Sequence, residues 1–166
     1  MKLELERVYH GAVVPTQGSN YAACYDLYAY TSEVDVKVIT ASGEKYNAFS
    51  KAGMIDIPAG ARALIPTGFK MRCPEGYSID FLPRSGMAYK EGVSVVNTPG
   101  VIDHDYSDQC YVALINTTEN TVVIAHGQRI AQMRLTAIVP TELELVSTLS
   151  PVDSNRNGGF GSSGKF

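Results

Sequence analysis

Along most of the chain apolar and polar residues alternate with a period of two, in short runs bounded by glycine and proline. No long stretch keeps the spacing of an amphipathic helix. Leu3 and Leu5 alternate with Glu4 and Glu6. Ile55 and Ile57 precede the turn residues Pro58-Ala59-Gly60. Residues 63–65 lead to a turn at Pro66-Thr67-Gly68, and Tyr77, Ile79 and Phe81 alternate with Ser78 and Asp80 ahead of Pro83. Further strands are expected at 93–96, 110–115, 121–124, 130–135 and 142–146. So many short strands predict an all-β domain, a sandwich or jelly roll.

Two segments depart from this pattern. The run Cys110-Tyr111-Val112-Ala113-Leu114-Ile115 is apolar on both faces, which fits either a central strand covered on both sides or a strand whose second face meets another subunit. Residues 31–54 read as a surface hairpin, with Val34, Val36 and Val38 alternating with Asp35 and Lys37 before the turn Ala41-Ser42-Gly43-Glu44. One short helix is expected at 87–91, with Ser85 as N-cap and Gly92 as its stop. A helix start beside Arg84 would suit an anion.

At 166 residues and 45% apolar composition the chain has the length and apolar content for one folded domain. Its formal charge of -3 and pI near 5.6 argue against sequence-independent binding to a nucleic-acid backbone, which needs a basic face. A small polyanion in a local basic pocket remains possible. Cys24, Cys73 and Cys110 are widely spaced, form no CxxC pair and have no histidine cluster beside them, so they read as reduced thiols rather than as a zinc site or disulfide frame. With no signal-like opening and no run near the roughly 20 apolar residues of a membrane span, the expected location is cytoplasmic. For a viral protein that means the host cytoplasm.

Candidate chemistry gathers in three places. Pro83-Arg84-Ser85-Gly86 opens the short helix. Asn97-Thr98-Pro99-Gly100 is expected to reverse the chain as a hairpin, after which alternation puts Val101 and Asp103 on one face, a carboxylate beside apolar surface. Asp103 is then either a tuned carboxylate or an ordinary turn former. His104 points the other way and reads as surface or packing. The tail, with Arg156, Phe160 and its glycines, reads either as a polar terminus or as a lid: glycine amides converging on phosphate, arginine gripping it, phenylalanine stacking on a base. Too little chain follows it for a Walker or dinucleotide motif.

These segments, with Ala22-Ala23-Cys24-Tyr25-Asp26-Leu27-Tyr28-Ala29 and Gly127-Gln128-Arg129-Ile130-Ala131-Gln132, resemble the five ordered motifs of the trimeric dUTP diphosphatases (dUTPases) over nearly the whole chain. The resemblance implies a jelly-roll-like homotrimer with three active sites between subunits. Each would hydrolyse dUTP to dUMP and diphosphate with Mg²⁺, limiting uracil in DNA and supplying dUMP for thymidylate. Residues 1–150 would form the hydrolase sandwich and 151–166 the lid. By resemblance Asp103 activates the water that attacks the α-phosphorus, and Asp26 holds Mg²⁺ through water. Arg84, Ser85, Gly86 and Gln132 bind phosphate oxygens. Asn97, Gly100 and Val101 read the uracil edge, and Tyr106 packs on the deoxyribose. In the tail, Arg156 contacts the terminal phosphates, Phe160 covers the base, and Gly161 and Ser162 join the substrate-binding set.

Three departures from the family pattern stand out: Cys24 in place of glycine, Asp108 in place of a small glycine, and a tail motif one residue short between Arg156 and Gly158. The similar dCTP deaminases need a glutamate where this chain has Ala113. A non-catalytic jelly-roll module would have no use for Asp26, Arg84, Asp103 and the tail together.

Overall fold

The computed structural model describes residues 1–153. In chain order the strands are β1 (Glu4–Arg7), β2 (Thr16–Gln17), β3 (Tyr25–Tyr28), β4 (Asp35–Ile39), β5 (Lys45–Phe49), β6 (Met54–Ile57), β7 (Arg62–Arg72) and β8 (Tyr77–Leu82). The helix α1 (Ser85–Glu91) follows, then β9 (Val93–Val95), β10 (Gly100–Ile102), β11 (Gln109–Asn116), β12 (Val122–Ala125) and β13 (Arg129–Ala137). One sheet runs β5-β4-β7-β11-β9, with β1 also on β7, and a second runs β10-β8-β13-β3-β2. A ribbon of β12 and β6 completes an all-β, jelly-roll-like fold.

Alternation explains which side chains form the core. Val36 and Val38 on β4, Ala63 and Ile65 on β7, and Cys110, Val112 and Leu114 on β11 are buried together with Leu27, Ile79, Phe81 and Met133 of the second sheet. On β13 the buried residues Ile130 and Ala131 are consecutive, because the pairing with β3 shifts register between Arg129 and Ala131. Asn116, fully buried at the end of β11, gives its amide to the carbonyls of Ile57, Pro58 and Asn120 and accepts from Thr118, which anchors the ribbon to the larger sheet.

Five expectations are corrected. Pro66-Thr67-Gly68 does not end a strand; β7 runs through it for eleven residues. Tyr111 pairs with Pro66 and Gln109 with Lys70, so the intervening β7 residues bulge opposite Cys110, a place where proline costs no ladder bond. Gly68 is required there: its φ is 80°, and a Cβ would stand 2.4 Å from that of Ala12. The segment 31–54 does form a hairpin, yet β4 pairs with β7 and buries Val36 and Val38, so it is half core rather than a surface appendage. Residues 142–146 form no strand. Leu143 and Leu145 are 93% and 102% exposed, and alternation alone makes no strand without an edge to pair with.

The helix begins at Ser85, the residue expected to cap it: Arg84 is the N-cap, extended and without a side-chain cap bond, while Gly92 ends it at φ 65° as expected. Finally, Asn97–Gly100 is no hairpin reversal, because it carries the chain from β9 in one sheet to β10 in the other, where β10 pairs with β8.

Replacing residues 33–53 by a short turn should therefore strip β4 from β7 and lower the melting temperature sharply or abolish folding, as followed by circular dichroism. An unchanged melting temperature would show that β4 contributes nothing to the core.

Candidate functional site

The second sheet assembles one cluster. Asp26 on β3 stands directly opposite Gln132 on β13, and Gln132 in turn stands opposite Leu82, the last residue of β8. Beyond Leu82 the chain leaves the sheet as Pro83-Arg84. Arg84 reaches back so that its Nε donates to Asp26 Oδ1 at 2.9 Å, while its Nη1 donates to the Arg129 carbonyl at 3.3 Å. Gln132 donates from Nε2 to the Pro83 carbonyl at 2.9 Å, fixing the exit from β8. Ser85 and Gly86 are exposed beside this cluster, and no atom lies within 4 Å of where a Gly86 side chain would begin. The site therefore offers open backbone next to an arginine.

Sequence reasoning assigned no role to Arg129. Its Nη1 donates to Asp26 Oδ2 at 3.3 Å, so the Asp26 carboxylate, 13% exposed, lies between two guanidinium groups. The one available signal was an arginine three residues before Gln132, at the start of β13.

A second group lies around β10. Asn97, Gly100 and Val101 line a cleft of about 90 Å³ with Phe81, Val95 and Tyr111. Gly100 lets Asn97 close on it: a Cβ there would be 3.2 Å from Asn97 Nδ2. Tyr106 does not join this cleft; it faces a depression shared with Lys70, Arg72 and Ser107. Its hydroxyl donates to the Gln109 carbonyl at 3.0 Å, and burial raises the phenol above its ordinary pKa, so it stays protonated to make that bond. Neighbouring Gln109 has a buried Nε2 without a partner among the described residues.

Asp103 follows β10 and is exposed, not set against the core as its neighbour Val101 suggested; Val101 is itself 53% exposed. The turn that carries it is nonetheless held. The Asp103 carbonyl accepts from Tyr106 N–H at 3.2 Å, and His104 Nδ1 donates to the Cys73 carbonyl at 2.6 Å. Cys73 is a firm anchor, buried, with its thiol bonded to the Tyr77 carbonyl. Burial raises the Cys73 thiol pKa and keeps that donor protonated. His104 is thus a latch on the Asp103 turn.

The two groups do not meet within the chain. Ile102 pairs with Ile79 and Asp103 follows it, whereas the Arg84 guanidinium meets Asp26 level with Leu82, three residues further along β8. At about 3.3 Å per residue the two ends stand roughly 10 Å or more apart. The expected tail residues Arg156, Phe160, Gly161 and Ser162 lie outside the described residues. No group of three or more His, Cys, Asp or Glu side chains among the described residues is placed to hold a metal. Asp26, the carboxylate of this cluster, is 13% exposed and would hold a Mg²⁺ only through water, as suits a cation that keeps much of its hydration shell.

Fold and cluster together define a jelly-roll protein with a partly neutralised double-arginine site beside exposed backbone, a class suited to phosphorylated ligands. A family model for dUTPase matches residues 49–164. The deoxyuridine 5'-triphosphate nucleotidohydrolase of Roseobacter denitrificans is 42% identical over 124 residues, 75% of this chain and 81% of that relative. Its counterpart in a Hydrogenobaculum species is 35% identical over 164 residues, 99% of each. The solved dUTPase of Staphylococcus bacteriophage 80alpha, a mutant with dUpNHpp, shares the fold at a TM-score of 0.77 with 21% identity, covering 98% of both chains. The chain belongs to the dUTPase family.

Replacing His104 by alanine should lower unfolding free energy by about 0.5–1.5 kcal/mol, the range for one lost hydrogen bond. Urea denaturation reads this. A midpoint equal to the parent's would mean that the latch holds nothing.

Proposed function

We propose that this protein hydrolyses dUTP to dUMP and diphosphate by attack of an Asp103-activated water on the α-phosphorus, with Mg²⁺, in a homotrimer whose sites are shared between subunits. What carries the proposal is the meeting of Asp26 and Gln132 on adjacent strands with Arg84 from the turn after β8, in motifs that resemble the family's in order. Asp103 acts as general base. Its exposed carboxylate is placed for a water rather than for a buried partner, and the His104 latch limits how far it wanders. Arg84, Ser85, Gly86 and Gln132 bind phosphate oxygens and favour the charge that builds on the departing diphosphate. Asn97, Gly100 and Val101 offer a cleft for the uracil edge, and Tyr106 packs against the sugar. When bound, Mg²⁺ neutralises phosphate charge, and Asp26 holds it through water.

The same geometry supports sharing between subunits. A base must lie within hydrogen-bond reach of its water, and roughly 10 Å or more of β8 lies between the Asp103 turn and the Arg84 guanidinium of the same chain. Two surfaces support an assembly. The outer face of the larger sheet leaves Tyr111 37% and Val96 44% exposed around Leu64 and Ala113. Beyond β13, Val139, Leu143, Leu145 and Leu149 stand almost fully exposed. The tail with Arg156, Phe160, Gly161 and Ser162 would close over the nucleotide as a lid. The metabolic role would be to keep uracil out of DNA and provide dUMP.

Diphosphate release measured across dUTP, UTP, dCTP and dTTP should be selective for dUTP. Asp103→Asn should fold and bind nucleotide while losing about 10²- to 10⁴-fold in turnover. Turnover within a few-fold of the parent would remove Asp103 from the base role.

A further inference from the structure

Resting on the nucleotide-hydrolase reading, we propose that Arg129 is a phosphate-binding residue of this site, the guanidinium that meets the terminal diphosphate of the incoming nucleotide. Arg84 and Arg129 bracket the Asp26 carboxylate, one on each oxygen, and leave one positive charge in excess. The two arginines are not equally available. Arg84 is 27% exposed and already uses Nε on Asp26 and Nη1 on the Arg129 carbonyl. Arg129 is 51% exposed, and among the described residues its side chain makes one hydrogen bond, the 3.3 Å contact with Asp26. A guanidinium has five N–H donors in a fixed fork, so most of Arg129's donors are left for an anion.

A purely structural role explains this poorly. An ion pair with one half-exposed partner is screened by water and adds little to stability. Arg129 also sits where an anion is needed. It opens β13, three residues before Gln132, and its backbone orients Arg84. Asp26 then acts as a stand-in anion that keeps both guanidinium groups in place before substrate arrives. A phosphate with more charge takes over Arg129, and the released Asp26 oxygen is free to accept from water.

The test is a double-mutant cycle on the full chain, read by calorimetric binding of metal-free inorganic diphosphate and independent of turnover. Arg129→Gln should weaken diphosphate binding by about ten-fold or more, as expected for loss of a charge-assisted bond. The same loss should persist in an Asp26→Asn background. Arg129→Lys, which keeps the charge without the fork, should lose less than Arg129→Gln and serves as the folded comparison if the glutamine variant is unstable. Unchanged binding in Arg129→Gln overturns the proposal. So does a loss that vanishes once Asp26 is asparagine, because Arg129 would then act only by holding Asp26. Cleavage of dUTP by the parent is measured separately: a parent that binds diphosphate through Arg129 but leaves dUTP intact contradicts the enzyme reading alone.

Discussion

The pairing of β8 governs the whole arrangement. On one side β8 carries β10 and so Asp103; on the other it carries β13 and so Gln132, and its end delivers Arg84. Because β10 runs antiparallel with Gly100 against Phe81, moving away from Gly100 towards Asp103 means moving away from Arg84. Both groups are built on the same strand and held towards its opposite ends. The proposed function, which needs a base and a phosphate clamp together, would take them from different copies of the chain. The apolar outer face around Tyr111, Ala113 and Leu64 gives those copies a reason to associate.

Charge is arranged with similar economy. Asp26 is nearly buried, and a carboxylate in that position is costly without partners. Arg84 and Arg129 compensate it and leave a surplus positive charge, the one on which the proposed phosphate role of Arg129 rests. At the other end of β8 the partners are backbone carbonyls: His104 bonds that of Cys73 and Tyr106 that of Gln109. They fix a turn without an ion pair to Asp103 among the described residues. One end of β8 thus carries the guanidinium pair around Asp26, and the other the latched turn of Asp103.

Much of this was legible in the residues because it is local. Period-two alternation located β6 and β8, unbroken apolar runs located β11 and β12, and the motifs around Asp26, Arg84, Asn97 and Gln132 could be matched segment by segment. What escaped was tertiary. Proline and glycine at Pro66-Thr67-Gly68 usually punctuate, yet here a bulge absorbs them inside β7, and only the facing strand β11 reveals it. The crossing from β9 to β10 looked like a hairpin because turn chemistry at Pro99-Gly100 does not say which strand follows in space. Val36 and Val38 looked like a surface hairpin until β7 was seen beside them. Arg129 meets Asp26 across 103 positions of chain, a distance no local pattern spans. The alternation at 142–146 was real, but a strand also needs an edge.

The central claim, that Arg84 and Asp103 serve one site only across a subunit boundary, is tested most directly by complementation. Chains carrying Asp103→Asn and chains carrying Arg84→Gln should each be nearly inactive on dUTP. Refolded together in equal amounts, with mixing confirmed by native mass spectrometry, they should regain about one quarter of parental activity, the chance that a site draws its intact arginine and intact aspartate from the right neighbours. Mixed trimers that stay inactive would show that each site takes both residues from one chain, and the account would be wrong.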